Sequence, residues 1–184
     1  RQTFFPGSEA AFLKMLQEEL GKDIRDEINQ HTCTGIGYHA DIVPIETTLT
    51  IVARLFSLMT EAGYENYVPS CVTSFGIFTE MVHIMKEHPD ILEQTRENLR
   101  KATGREFELP KNLVHPSDII YKFRYELKKK MKYQLINRFT NKPLQVVEHI
   151  GCHYAKIFPE KGIGKAEFPH VLAGMIEAWG GEVI

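Results

Sequence analysis

The sequence predicts an α/β protein built on a largely parallel sheet. Short β-branched and aromatic stretches alternate with longer segments whose apolar residues follow helical spacing. Glycine, proline or a capping residue stands at most junctions between them. An internal echo adds a third observation. "TFFPGSEAAF" and "VEHIGCHYAK" both read strand, glycine, Ser or Cys, then helix-compatible residues, so that Ser8 falls on Cys152.

Residues Thr3 to Phe5 read as a short strand that ends at Pro6-Gly7. Ser8 then caps a helix holding Ala11, Phe12, Met15, Leu16 and Leu20, closed by Gly21. Residues 22–45 are mixed, with Gly35, Gly37 and Pro44 as breakers and Cys33 on a loop. From Glu46 to Ala62 the positions Leu49, Val52, Ala53, Phe56 and Met59 predict a helix, stopped by Gly63. A strand around Tyr67-Val68 leads into the loop of Cys71. A helix from about Phe75 to His88 follows, and Pro89 opens another that ends near Gly104.

Leu113-Val114 reads as a strand, and Ser117 or Asp118 as the cap of a helix bearing Ile119, Ile120, Phe123 and Leu127. "KKKMKYQ" then begins a basic connector, either simply solvated or a docking surface for an acidic partner. The clearest strand, "LQVVEHIG", runs into Cys152. A final helix carries Phe168, Val171, Leu172, Met175, Ile176 and Trp179, stops at Gly180-Gly181 and enters "EVI". Ligands of parallel sheets bind at the loops after the strands' carboxyl ends. Ser8, Cys71, His115 and Cys152 each follow a predicted strand directly.

Composition narrows the function classes. The 184 residues are 43% hydrophobic and 25% charged, as in an ordinary globular protein. A net charge of -2 argues against general nucleic-acid binding, which needs a basic face. No apolar run approaches the roughly 18 residues that span a bilayer. The start shows no charged region followed by an apolar stretch. Three widely spaced cysteines make no disulfide framework. The expected compartment is therefore the reducing cytoplasm. The chain opens on Arg1 and closes at Ile184 inside an apparent strand, so it reads as a fragment.

The chemistry-bearing positions centre on the cysteines. Cys33 lies between His31 and His39, with Gly35 and Gly37 allowing close backbone approach. It is either a metal or cluster ligand or a structural thiol near a turn. Cys71 in "PSCVTSFG" precedes a helix N-terminus, whose dipole favours a thiolate. Cys152 has the same setting with His153 adjacent, and that histidine could hand a proton to a sulfur leaving group. His83, His88, His115 and His170 have no metal-ligand partner at characteristic spacing. There is no Walker loop, and "GIGKAEF" is a poor match to a dinucleotide fingerprint.

"FFPGS", "CTGIGYHADIVPIETT", "CVTSFG" and "VVEHIGCHYAK" together resemble the B-type subunits of heterodisulfide reductase and their relatives, proteins of two cysteine-rich CCG domains. The resemblance implies an N-terminal CCG-like domain over residues 1–127, the basic connector over 128–143, and the start of a C-terminal CCG domain over 144–184. It implies an oxidoreductase acting on sulfur groups, with a non-cubane [4Fe-4S] cluster that splits or forms a disulfide. The implied partners are an iron–sulfur subunit, a flavin subunit, and a thiol or disulfide substrate or carrier.

The family's motif per domain is one cysteine, a Cys-Cys pair and a Cys-x-x-Cys. Carried over, these positions fall on Ser8, on Thr32-Cys33 and on Cys71-Val72-Thr73-Ser74. Hydroxyls replace three of five thiols, so the N-terminal domain is expected to be a degenerate scaffold. Cys152 matches the first cysteine of the C-terminal domain, with the other four expected beyond Ile184. The alternative is a non-catalytic assembly module, with Cys33 and Cys71 and His31 or His39 holding a structural zinc, or with no metal there.

Overall fold

Proline at the first position of a helix lacks only an N–H that the first turn leaves unpaired anyway, and Pro6 opens α1 (Pro6–Lys14) in this way. The computed structural model describes residues 6–30, 35–155, 163–164 and 168–184. After α1 a single π turn, Met15–Glu19, carries the chain to Gly21, whose φ of +58° ends the helix. A 3-10 turn (Ile28–Gln30) and the short α2 (Gly35–His39) precede α3 (Ile45–Glu61). Then come β1 (Asn66–Tyr67), α4 (Val72–Glu87), α5 (Pro89–Thr103) and β2 (Asn112–Leu113). The helices α6 (Pro116–Lys122) and α7 (Arg124–Lys130) are followed by β3 (Gln145–Val146) and α8 (Cys152–Ala155). The last elements are α9 (Val171–Ala178) and β4 (Glu182–Val183). The class is α/β as the sequence predicts, mostly helical, with short strands paired in parallel.

The chain divides into two compact units. The larger comprises Ile28–Pro116 and Ile150–Pro169. Its core is built by α3, α4 and α5: Val52, Ala53 and Phe56 meet Ile77, Phe78 and Met81, and Leu99 joins from α5. Each such side chain removed from water contributes roughly 1.5–3 kcal/mol. Phe56, Tyr67 and Phe78 touch edge to face at 5.5–6.1 Å, the geometry that aromatic quadrupoles favour. β1 and β2 pair in the register Asn66↔Asn112 and Tyr67↔Leu113, and the Asn112 side-chain amide donates to Asn66 Oδ1 at 2.7 Å.

The smaller unit comprises Arg1–Glu27, Ser117–His149 and His170–Ile184. β3 and β4 pair in the register Gln145↔Glu182 and Val146↔Val183. Val171, Ala173, Met175 and Ala178 of α9 are buried, with Leu16 and Leu127. The Trp179 indole N–H donates to the Arg124 carbonyl at 2.9 Å, tying α9 to α7. Glu148 accepts the Ala173 N–H at 2.9 Å and so satisfies one of the open amides in the first turn of α9.

Three local expectations change. Ser8 lies inside α1 rather than before it, because Pro6 starts the helix earlier. Phe168 is outside the final helix and 80% exposed, since α9 begins only after Pro169 and His170. Lys128, Lys129 and Lys130 form the last turn of α7 rather than an irregular connector. The strand expected at Thr3–Phe5 lies outside the described residues.

Candidate functional site

Cys71 is the N-cap of α4, with extended backbone (φ -109°, ψ 128°) and a carbonyl that accepts the Phe75 N–H at 2.8 Å. The thiol is exposed. Partial burial works to raise its pKa, but hydrogen bonding to the charged sulfur from the amides and hydroxyls of Ser74 and Thr73 outweighs it. The net effect holds the thiol below its ordinary value of 9.0. Small residues after the cysteine leave the first-turn amides of α4 open to that sulfur, and the dipole of a 16-residue helix acts in the same direction.

Cys152, also exposed, begins α8. The residue before it packs on the residue after Cys71: a Cβ added at Gly151 would stand 3.0 Å from Val72 Cγ1. The absence of a side chain at Gly151 is what allows this approach. Phe75 of α4, His115 after β2 and Tyr154 of α8 form a ring cluster with centroid separations of 5.6–5.9 Å. Three of the four positions predicted to follow strands, Cys71, His115 and Cys152, thus belong to one packed region of the larger unit. Ser8 belongs to the other unit.

A second cluster flanks the first. The His153 ring meets the His39 ring edge-on at 4.7 Å. Tyr38, next to His39, donates its hydroxyl to Glu80 Oε1 at 3.0 Å. His153 titrates below its ordinary 6.5, first because burial penalises the imidazolium and then because His39 is close, with Glu80 opposing both. At neutral pH its ring is therefore neutral, better fitted to receive a proton than to store one. Tyr38 is held above 10.0, by burial first and then by its bond to Glu80.

Of the residues singled out in the sequence, Cys71, Cys152, His153 and His39 all lie in the larger unit, whereas Cys33 and His31 fall outside the described residues. Glu80 and Tyr38 gave no sequence signal. The contact between His39 and His153 joins positions more than a hundred residues apart, which no local pattern can show. Among the described residues, no three His, Cys, Asp or Glu side chains converge to hold a metal ion.

No protein-family model matches the chain. Comparison with curated proteins nevertheless finds a distant kinship to one component of a redox complex. The relative is the B-type subunit of the ferredoxin:CoB-CoM heterodisulfide reductase from Methanosarcina acetivorans, 27% identical over 177 residues. That alignment covers 96% of this chain but only 56% of the relative's length.

An iron–sulfur cluster of the [4Fe-4S] type is held by about four thiolates. The chain has three cysteines in all, and Cys71 and Cys152 acquire no third ligand among the described residues. The residues of this chain by themselves do not fit such a cluster. No helix among the described residues is long and apolar enough to cross a membrane.

Proposed function

We propose that the chain is part of a heterodisulfide-reductase-like complex, an oxidoreductase working on thiols, disulfides or related sulfur compounds. The observation that carries the reading is the meeting of the Cys71 and Cys152 segments, with Cys71 disposed toward its thiolate, in a chain distantly related to a reductase subunit. Thiolates are both the nucleophiles of thiol–disulfide exchange and the ligands of soft metals, so an exposed low-pKa cysteine suits either use.

In this reading Cys152 is one ligand of the [4Fe-4S] cluster, and the remaining thiolates come from sequence outside these 184 residues. The cluster supplies electron transfer to or from sulfur when bound. What this chain itself contributes is narrower. The α4 N-terminus keeps one thiol ionised beside the Cys152 segment, and the neutral His153 imidazole takes up a proton there. The hydroxyl-bearing positions Thr73 and Ser74 serve Cys71 as hydrogen-bond donors, which accords with a degenerate N-terminal domain that shapes the site. Iron–sulfur and flavin subunits are the proposed electron partners.

The test is disulfide reduction by the native complex, purified without oxygen and supplied with a reduced viologen dye. Cys152→Ala is expected to lower the rate by at least a hundredfold. An unchanged rate would remove the chain's thiols from the chemistry.

A further inference from the structure

Charge is unevenly spread along this chain. Residues 121–142 hold eight of its 22 lysines and arginines and only one of its 24 acids, Glu126. A segment at +7 therefore sits in a chain whose net charge is -2. A solvated linker would account for that composition, but the structure shows a built surface instead.

Residues 135–144 form a small hairpin. Ile136 and Pro143 bridge in antiparallel fashion, the Leu144 N–H donates to the Leu135 carbonyl at 2.9 Å, and the Asn137 N–H to the Lys142 carbonyl at 2.8 Å. Its tip is fixed by Asn137, whose side-chain oxygen accepts the Phe139 and Thr140 amides at 2.9 and 3.1 Å. Asn141 takes the left-handed conformation that closes the turn, at φ +56°. This frame holds Phe139 99% exposed. Leaving a phenylalanine in water on a rigid turn forgoes a substantial apolar burial.

Around the tip the cations are themselves placed. The Arg138 guanidinium lies 4.0 Å from the centre of the exposed Tyr133 ring. Arg124 lies 3.9 Å from the Tyr121 ring and 4.5 Å from that of the exposed Tyr125. Lys129, Lys132 and Lys142 are exposed. Tyr and Arg around a protruding aromatic anchor are the side chains that dominate protein interfaces. Because the tip is already ordered, docking it sacrifices little conformational entropy. A duplex or a lipid surface would be met by a broad basic face, and here the basic stretch belongs to an acidic chain.

We infer that the hairpin of residues 135–144, with α7 and Tyr133 beside it, is a docking surface for a protein partner that presents an apolar pocket rimmed by aspartates and glutamates. Phe139 fills the pocket, and Lys129, Lys132, Arg138 and Lys142 face the carboxylates. This inference rests on charge and exposure alone and stands whether or not the chain takes part in sulfur redox chemistry.

The test begins with a photoreactive benzoylphenylalanine placed at position 139 of the full-length protein in its native host. One polypeptide other than this chain should be captured, through a peptide whose neighbouring residues are rich in Asp and Glu. That polypeptide, produced separately, is then titrated against the full-length protein. Phe139→Ala and the combined Lys129→Glu, Lys132→Glu and Lys142→Glu variant should each weaken binding by ten- to a hundredfold, and raising the salt from 0.1 to 0.5 M should weaken the wild type. Both variants should keep the wild-type circular dichroism and melting temperature. The inference is overturned by capture within the same polypeptide, by capture of several proteins at neutral surfaces, or by no capture. It is equally overturned if a 20-base-pair DNA duplex or phosphatidylserine vesicles bind at micromolar concentration and lose that binding in the lysine variant.

Discussion

Gly151→Ala is the sharpest perturbation of the candidate site. The new methyl would stand 3.0 Å from Val72 Cγ1 and 3.4 Å from Val72 Cγ2. Ordinary carbon–carbon contact needs about 3.5–4.0 Å, so one partner must withdraw by roughly half an ångström or more. Val72 cannot turn aside freely, because a β-branched residue in a helix has one strongly preferred rotamer. The Cys152 segment would be the part to move. Overpacking of this kind costs about 1–3 kcal/mol. Urea denaturation of Gly151→Ala, of Val72→Ala and of the double variant measures it. The double variant should recover about 1 kcal/mol or more relative to the sum of the single effects, because the shortened side chain at position 72 makes room for the methyl. A Gly151→Ala protein within about 0.5 kcal/mol of wild type, or additive single effects, would refute the direct packing of the two cysteine segments.

The remaining predictions concern individual groups. Cys71 should react with iodoacetamide at lower pH than an ordinary thiol, and Ser74→Ala should move its profile upward by removing one hydroxyl donor; mass-spectrometric mapping of alkylation against pH checks both. His153 should titrate below 6.5 by NMR, and His39→Gln should raise it by removing the neighbouring imidazole. With the folded pKa depressed, the unfolded chain binds the proton more readily, so His153 lowers stability as pH falls through 6.5 toward the folded value. Phe56→Ala should cost about 3–5 kcal/mol, since the ring is fully buried between Tyr67 and Phe78, whereas Phe168→Ala, at 80% exposure, should stay within about 0.5 kcal/mol.

The helices that build the core were legible because burial on one side imposes periodicity. The segments expected at 46–62, 75–88 and 89–104 occur as Ile45–Glu61, Val72–Glu87 and Pro89–Thr103. Tyr67 and Leu113 read as strand residues and pair in the parallel register. Periodicity failed where little is buried. Leu127 is the one buried side chain of α7, too weak a signal to separate a helix from a lysine-rich connector. The hairpin beyond it is held by backbone bonds and by Asn137, whose spacing to Phe139 and Thr140 marks a turn but not its exposure. Cys71 and Cys152 were recognisable from their settings before helices. That Val72 and Gly151 bring them together depends on how α4 and α8 pack, which spacing along the chain does not encode.

The central claim is that this chain contributes cysteine ligation and thiol chemistry to a sulfur-directed redox complex. It is tested most directly by visible absorption and iron content of the full-length protein, purified anaerobically as wild type, Cys152→Ala and Cys33→Ala. The predicted result is a brown iron–sulfur chromophore that Cys152→Ala removes and Cys33→Ala leaves intact. A chromophore unaffected by Cys152→Ala, or one lost with Cys33→Ala, would contradict it.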